Sequence, residues 1–243
     1  MKFVLILGAK SDIAKAVAKV FASNGYNLYL CARDVNELSD FKKDLEIRTC
    51  VRVELKEIDI NNIEKHEEFY MGLEPKPEGI ITTTGYLPDQ KEAENSHMET
   101  IKTIYANYLG IVCFLNIVAN DLEKRGKGFI VGISSVAGDR GRRSNYIYGS
   151  AKAGFTAYLS GLRNRLWHKG IRVITVKPGF VHTKMTKDMK LPPLLTATPE
   201  EVAKDVFKAV QKGKDVIYSR WFWKYIMLLI RLIPEPIFKR LNL

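Results

Sequence analysis

The sequence contains little cysteine and histidine, and this scarcity excludes several classes of protein. Its 243 residues include three cysteines, Cys31, Cys50 and Cys113, and four histidines. The cysteines are odd in number, widely spaced and set in apolar segments, which fits neither a disulfide framework nor the ligand spacing of a metal site. We therefore expect no metal, and we expect buried thiols in a reducing cytoplasm.

Neither terminal apolar segment reaches the roughly 20 residues that span a bilayer. The first apolar segment ends at Gly8, so it is too short for a secretory signal and is more typical of a first β-strand. The segment 221–233 is interrupted by Lys224 and Arg231. A cytoplasmic location is expected.

The sequence has fewer acidic than basic residues: 27 Asp and Glu against 38 Lys and Arg, which gives a formal net charge of +11. Such an excess attracts anions, whether nucleic acid, anionic lipid or a phosphorylated ligand. The basic residues are spread through the chain and no recognised nucleic-acid motif occurs, so we expect no nucleic-acid partner.

Apolar segments of strand length alternate with segments of helical period. Strands are predicted at 3–7, 28–31, 50–58, 79–83, 128–133, 171–176 and 215–218, and helices at 11–25, 35–47, 63–71, 101–125, 145–169 and 199–212. Continuous apolar strands between helices indicate a parallel sheet covered on both faces. The predicted fold class is α/β, a single Rossmann-type doubly wound parallel sheet of about seven strands. We expect residues 1–218 to form one domain and residues 219–243 to form a hydrophobic, basic C-terminal arm.

A tyrosine and a lysine indicate a reaction centre. Tyr148 and Lys152 are four residues apart and so share one face of a helix, where the ammonium favours the phenolate and lowers the phenol pKa from about 10. Tyr146 has no such partner. Ser134 and Ser135 follow a strand at the edge where the crevice of an open α/β sheet lies, and because side chains alternate, only one of them faces it.

The segment after the first strand indicates a dinucleotide site. Gly8 begins a turn into the first helix, where backbone amides and a helix N-terminus meet a pyrophosphate. At the end of the second strand Arg33 precedes Asp34. Arginine there accepts the 2′-phosphate of NADP, whereas an acid binds the free ribose of NAD. Arg33, aided by Lys10, favours NADP, and Asp34 keeps NAD open.

These motifs together resemble the short-chain dehydrogenase/reductase family over residues 2–218. The resemblance selects Ser135 by its spacing to the tyrosine and implies an oxidoreductase. Tyr148 then exchanges a proton with the carbonyl oxygen, which Ser135 polarises. Lys152 tunes Tyr148 and holds the nicotinamide ribose, and Asn107 supports a water relay to Lys152. Pairing of the two long helices into a homodimer or homotetramer is also implied.

The resemblance further implies an NADP site. Its predicted residues are Gly8, Lys10, Ser11, Asp12, Ile13, Arg33, Asp59, Ile60, Thr83, Gly85, Tyr148, Lys152, Pro178, Gly179, Val181 and Thr183. Of the family's three turn glycines only Gly8 is present, with Asp12 and Ala14 at the other positions. The carboxylate of Asp12 repels a pyrophosphate unless it turns away to cap the helix.

The substrate and the C-terminal arm leave alternatives open. Arg140, Arg142 and Arg143 either receive a phosphate or form a solvated charge run. The arm is either an interfacial helix at the inner face of a membrane or a segment packed on the core. A weaker similarity to bacterial polyprenylphosphoryl 2-keto-sugar reductases points to a lipid-linked or phosphorylated keto-sugar. The alternative function is a catalytically idle dinucleotide-binding member of the family, acting through a partner or membrane contact.

Overall fold

A central parallel sheet organises the chain. The computed structural model describes residues 2–187 and 189–242. In it seven strands lie in the order β3-β2-β1-β4-β5-β6-β9, and two short strands, β7 and β8, form a separate pair. The strands are β1 Phe3–Leu7, β2 Asn27–Ala32, β3 Val53–Glu57, β4 Gly79–Thr82, β5 Gly128–Ile133, β6 Ile171–Pro178, β7 Phe180–Val181, β8 Thr196–Ala197 and β9 Val216–Ser219. The predicted fold class is confirmed.

Helices cover both faces of this sheet. They are α1 Asp12–Ser23, α2 Ser39–Thr49, α3 His66–Met71, α4 Gln90–Asn95, α5 His97–Ile104, α6 Gly110–Arg125, α7 Tyr146–Trp167, α8 Pro199–Lys212, α9 Trp223–Leu232 and α10 Glu235–Phe238. One apolar core joins the sheet to α1, α2 and α8, and a second joins it to α3, α6 and α7. The five inner strands, β2, β1, β4, β5 and β6, are buried on both faces, which explains their largely apolar sequence, whereas the edge strands β3 and β9 are partly exposed.

Some element boundaries differ from those predicted. The strand predicted at 50–58 begins only at Val53, because Cys50 has φ 56° and ends α2 in the left-handed region. Cys50 is exposed and Cys113 half-buried, so the expectation of buried thiols holds only for Cys31. The helix predicted from residue 101 begins at His97, and a π-helical turn, Tyr105–Leu109, separates α5 from α6.

The stretch His97–Arg125 has the length and apolarity of a membrane span, with mean hydropathy 1.5 in its most apolar window. Core helices of soluble proteins also meet this criterion. Here Ile111, Phe114, Leu115 and Val118 lie in the second core. The apolarity of this helix is therefore accounted for by its packing on the sheet.

The C-terminal arm packs on the domain through one side of α9. Trp223 and Met227 are buried and form a small apolar cluster with Val136. The indole Nε1 of Trp223 donates to the carbonyl of Leu195 at 3.1 Å. The opposite side, with Leu229 and other large apolar side chains, is exposed.

Candidate active site

The site lies where the strand order reverses. From β1 the chain builds β2 and β3 on one side and then crosses to β4 on the other, which opens a crevice at the carboxyl ends of β1 and β4. Two cavities occupy this edge, one of about 420 Å³ and one of about 160 Å³. Thr83, Thr84 and Gly85 line both of them, so the two form one groove.

The structure distributes the predicted residues over this groove. The larger cavity is lined by Gly8, Lys10, Ser11, Arg33, Asp59, Ile60, Thr83 and Gly85. The smaller is lined by Ile13, Thr83, Gly85, Ser135, Tyr148, Lys152, Pro178, Gly179, Val181 and Thr183. Asp12 and Asn107 line neither. Sequence patterns did not reveal Lys102 in the larger cavity or Phe180 and Met185 in the smaller.

Gly8 forms the tight turn between β1 and α1. Its φ is +84°, and a Cβ atom there would lie 2.8 Å from the backbone nitrogen of Thr84, so no side chain fits without a shift. The hydroxyl of Thr83 donates to the carbonyls of Leu7 at 2.8 Å and Gly8 at 3.1 Å. Ser11 caps α1 by accepting from the amide of Ala14. Threonine thus ties the end of β4 to the turn.

Asp12 does not cap α1, which is one of the two positions expected for its carboxylate. Because Ser11 already supplies the cap, the carboxylate of Asp12 accepts from the backbone amide of Lys184 at 2.7 Å. Lys184 follows Thr183 in the loop that borders the smaller cavity. Asp12 therefore links the first helix to this loop, a contact across 172 positions that no local pattern reveals.

The charged residues at the end of β2 border the larger cavity. The ammonium of Lys10 contacts Glu37 at 2.9 Å and Asp34 at 3.7 Å, and a guanidinium nitrogen of Arg33 lies 4.0 Å from Asp59. The hydrogen bond to Glu37 is the main cause that raises the pKa of Lys10. Arg33 is 67% exposed and lies in the cavity wall, so its cationic end is accessible to an anionic ligand.

The two serines after β5 point to different sides. Ser134 is buried, and its hydroxyl bonds to the carbonyl of Lys152 at 3.0 Å and to the hydroxyl of Thr156 at 2.7 Å. Ser135 is half-buried and lines the smaller cavity with Tyr148. The alternation of strand side chains explains this division.

Tyr148 and Lys152 share one side of α7, but burial affects the pKa values of both groups more than the attraction between them does. The ammonium nitrogen lies 5.7 Å from the centroid of the Tyr148 ring and donates to the carbonyl of Ile133 at 3.2 Å. Burial lowers the pKa of Lys152 to about 8. Burial also raises the pKa of Tyr148 to about 12, while a hydrogen bond with Ser135 acts in the opposite direction. The expected lowering of the phenol pKa is therefore wrong for the protein without cofactor.

Asn107 lies in the π-helical turn and is fully buried. Its amide nitrogen donates to the carbonyls of Tyr86 at 2.6 Å and Thr103 at 2.9 Å, and its oxygen accepts from the amide of Tyr86 at 3.2 Å. A Cβ atom on Gly85 would lie 3.3 Å from this oxygen and 3.7 Å from the Lys152 nitrogen. Asn107 thus stands close to Lys152 with Gly85 between them.

The three arginines after Ser135 have different environments. Arg140 donates to the carbonyls of Ile230 at 2.5 Å and Ile233 at 2.7 Å and stacks on the ring of Phe238, so it anchors the C-terminal arm. Arg143 is exposed. Arg142 alone of the three lines the smaller cavity.

Comparisons with known proteins agree with this fold. An uncharacterized oxidoreductase of Mycobacterium tuberculosis is 34% identical over 98% of this chain and 96% of its own length. A 3-oxoacyl-acyl-carrier-protein reductase of Bos taurus is 27% identical over 77% of this chain and 79% of its own. A solved short-chain dehydrogenase from Sphingobium yanoikuyae, in complex with NADPH, is 24% identical with a TM-score of 0.83 over 97% of both chains. A family model for short chain dehydrogenases matches residues 2–192. This match, together with the identity to the mycobacterial oxidoreductase over nearly the whole of both chains, shows that the chain belongs to the short-chain dehydrogenase family.

Proposed function

We propose that this protein is an NADP(H)-dependent oxidoreductase that interconverts a carbonyl and an alcohol by hydride transfer, with Tyr148 as the acid/base. The observation that carries the proposal is the convergence of Ser135, Tyr148 and Lys152 on one small cavity that continues into the groove at Gly8. The family assignment adds to it.

The residues of the larger cavity fit a dinucleotide. Gly8 leaves the space that a Cβ atom would fill, and the buried hydroxyl of Thr84 has no partner among residues 2–187 and 189–242. Arg33 and Lys10 supply positive charge for a 2′-phosphate. The solved relative from Sphingobium yanoikuyae has NADPH bound. When bound, NADP(H) would supply or accept the hydride.

The residues of the smaller cavity would move and stabilise the proton. In the reducing direction Tyr148 gives its phenolic proton to the carbonyl oxygen, while the hydroxyl of Ser135 donates a hydrogen bond to the same oxygen. Lys152, when protonated, stabilises the resulting phenolate. Asn107 would order water next to Lys152, through which the proton is replaced.

Substitution of one tyrosine tests this role, because the chain offers a matched control. Tyr148→Phe is expected to lower kcat for ketone reduction by about 10²- to 10⁴-fold, the usual contribution of a general acid. Tyr146→Phe should leave kcat unchanged, since that hydroxyl bonds to Glu94 at the surface. NADPH oxidation by both variants and the wild type over a panel of ketones provides the measurement. NADPH binding without turnover in the wild type would instead favour a catalytically idle member of the family.

We further propose a lipid-linked or phosphorylated keto-sugar as substrate, reached from the inner face of a membrane by a cytoplasmic protein. The support is the exposed side of α9, where Leu229 and Leu232 are 67% and 68% exposed, flanked by Lys224 and Arg231. Such a helix is suited to the interface of an anionic bilayer.

Flotation with anionic liposomes tests this contact without disturbing the buried side of the arm. Glutamate at both Leu229 and Leu232 should abolish flotation. Ile47→Glu is the control, because Ile47 is 80% exposed on α2, away from the arm. Equal flotation of all three proteins would refute the membrane contact.

A homodimer or homotetramer through α6 and α7 is proposed as well. Along α7, the exposed residues Ala157, Ser160, Gly161 and Asn164 form a surface of small side chains, which allows close approach of a second helix. Light scattering measures the assembly size. Arginine at Gly161, where a Cβ atom meets nothing within 4 Å in the single chain, should yield monomers.

A further inference from the structure

Arg142 is a partly buried cation in the wall of the smaller cavity. It lies there with Ser135 and Tyr148, whereas the neighbouring Arg143 is exposed. Burial lowers the pKa of Arg142, and the negative charge of Asp139 offsets this only in part. A desolvated guanidinium next to a reaction centre calls for an anionic partner.

No such partner is supplied by the described residues. Among residues 2–187 and 189–242, no carboxylate forms an ion pair with Arg142, and its buried Nε has no hydrogen-bond acceptor. Asp139, the carboxylate whose charge acts on Arg142, is engaged by Lys177 at 2.5 Å and by the hydroxyl of Tyr218 at 2.8 Å. Arg140 is also unavailable to a ligand, because it holds the C-terminal arm.

A second unsatisfied group lies in the same cavity. The side-chain oxygen of Asn145 is buried and has no donor in the part of the chain that the structure describes. This oxygen can accept from a hydroxyl, while the guanidinium of Arg142 can donate to an oxyanion. Most of the remaining wall is apolar and includes Leu87, Phe180 and Met189. The cavity thus offers one anion site and one hydroxyl site beside the proposed acid.

We propose that Arg142 binds an oxyanion of the carbonyl substrate, a phosphate or a carboxylate, and that Asn145 accepts a hydroxyl of the same molecule. This inference rests on the proposed carbonyl reduction and narrows its substrate to hydroxylated, anionic ketones. Arg142 sets specificity through binding, and Tyr148 exchanges the proton.

Matched pairs of ketones separate this role from a general effect on activity. The probes are acetoacetate against methyl acetoacetate for a carboxylate, and the phosphate ester of 1-hydroxybutan-2-one against the free ketone for a phosphate. Arg142→Gln is expected to raise KM for the charged member of a pair at least about tenfold, with kcat/KM for the neutral member unchanged. Arg143→Gln should change neither, and Arg142→Lys should restore part of the loss for the phosphate. The pair that responds identifies the anion.

Three results would overturn the proposal. The first is that Arg142→Gln loses kcat/KM equally on charged and neutral ketones. The second is that Arg142→Gln binds NADPH more weakly, which would assign the arginine to the cofactor. The third is that the wild type prefers neither charged ketone over its neutral counterpart.

A binding measurement tests the anion site even if the protein does not catalyse the proposed reaction. Calorimetric titrations of inorganic phosphate and of acetate into protein saturated with NADPH should show that the wild type binds at least one of the two anions and that Arg142→Gln loses this binding. If the wild type binds neither anion, the anion site is refuted even if ketones are reduced, and binding that depends on Arg142 upholds the site even if no ketone tested is reduced.

Discussion

Replacing Lys152 by methionine should stabilise the protein while it destroys activity. Lys152 is 3% exposed, and the described structure gives its ammonium a single hydrogen bond, to the carbonyl of Ile133. Burial lowers its pKa from 10.5 to about 8. At about 1.4 kcal/mol for each pH unit, holding this cation in the folded cofactor-free protein costs about 3 kcal/mol. Methionine fills a similar volume without charge.

The sign of the pH dependence follows from this lowered pKa. Between about pH 8 and pH 10.5 the unfolded chain keeps the proton that the folded protein has lost, so this group makes the free energy of unfolding rise with pH. Below about pH 8 both states are protonated and the full cost remains. The stability advantage of Lys152→Met should therefore be about 3 kcal/mol near pH 7 and shrink steadily above pH 8.

Urea denaturation of the two proteins, followed by circular dichroism from about pH 7 to pH 9.5, measures this difference. Any other group that titrates in this range contributes equally to both proteins, so its effect cancels in the difference. Tyr148→Phe serves as a control, because the raised phenol pKa of about 12 acts only above about pH 10. If the difference between Lys152→Met and the wild type stays constant with pH, the buried ammonium is not the source of the cost.

Three further substitutions probe the cofactor site and the arm. Gly8→Ala should lower Tm and weaken NADPH binding more than Gly25→Ala does. Both glycines have positive φ, but only a Cβ atom at Gly8 would meet other atoms within 4 Å. Equal effects of the two substitutions would exclude a steric cause. Arg33→Ala should reduce the ratio of kcat/KM for NADPH over NADH about tenfold or more, and an unchanged ratio would assign the 2′-phosphate elsewhere. Trp223→Ala should lower the free energy of unfolding, measured by urea denaturation, by about 3–5 kcal/mol. Trp221→Ala, at a side chain that is 72% exposed, should lower it by less than about 0.5 kcal/mol. Similar losses in the two variants would contradict the packing of the arm.

The fold could be predicted because the inner strands of its sheet are apolar on both faces and its helices have a regular period. The two-residue strands β7 and β8 are too short for such a signal. The π-helical turn that carries Asn107 was likewise invisible, because its apolar spacing continues that of the flanking helices. All predicted site residues except Asp12 and Asn107 line the groove, since the carboxyl ends of parallel strands share one edge of the sheet.

What the sequence could not predict depends on distant contacts. The sequence does not distinguish the arginines that follow Ser135, because all carry the same charge. In the structure Arg140 bonds to the arm some 90 positions away, whereas Arg142 lines the smaller cavity. A local rule offers the carboxylate of Asp12 the cap of its own helix as one of two alternatives, but Ser11 supplies that cap and Asp12 accepts from the amide of Lys184. The pKa of Tyr148 was predicted from one nearby charge, and the burial of both groups reversed its direction.

The loop after β5 connects the proposed chemistry to the C-terminal arm. It begins at Ser135, whose hydroxyl faces the phenol of the reaction centre. Four residues later Asp139 binds Lys177 on β6 and Tyr218 on β9, and Arg140 bonds to carbonyls at the end of α9. Because these contacts hold the loop at both sheet and arm, the exposed apolar side of α9 keeps a fixed orientation relative to the cavity. The membrane contact proposed for α9 would therefore fix the orientation of the cavity relative to the bilayer, which a freely tethered arm would not do.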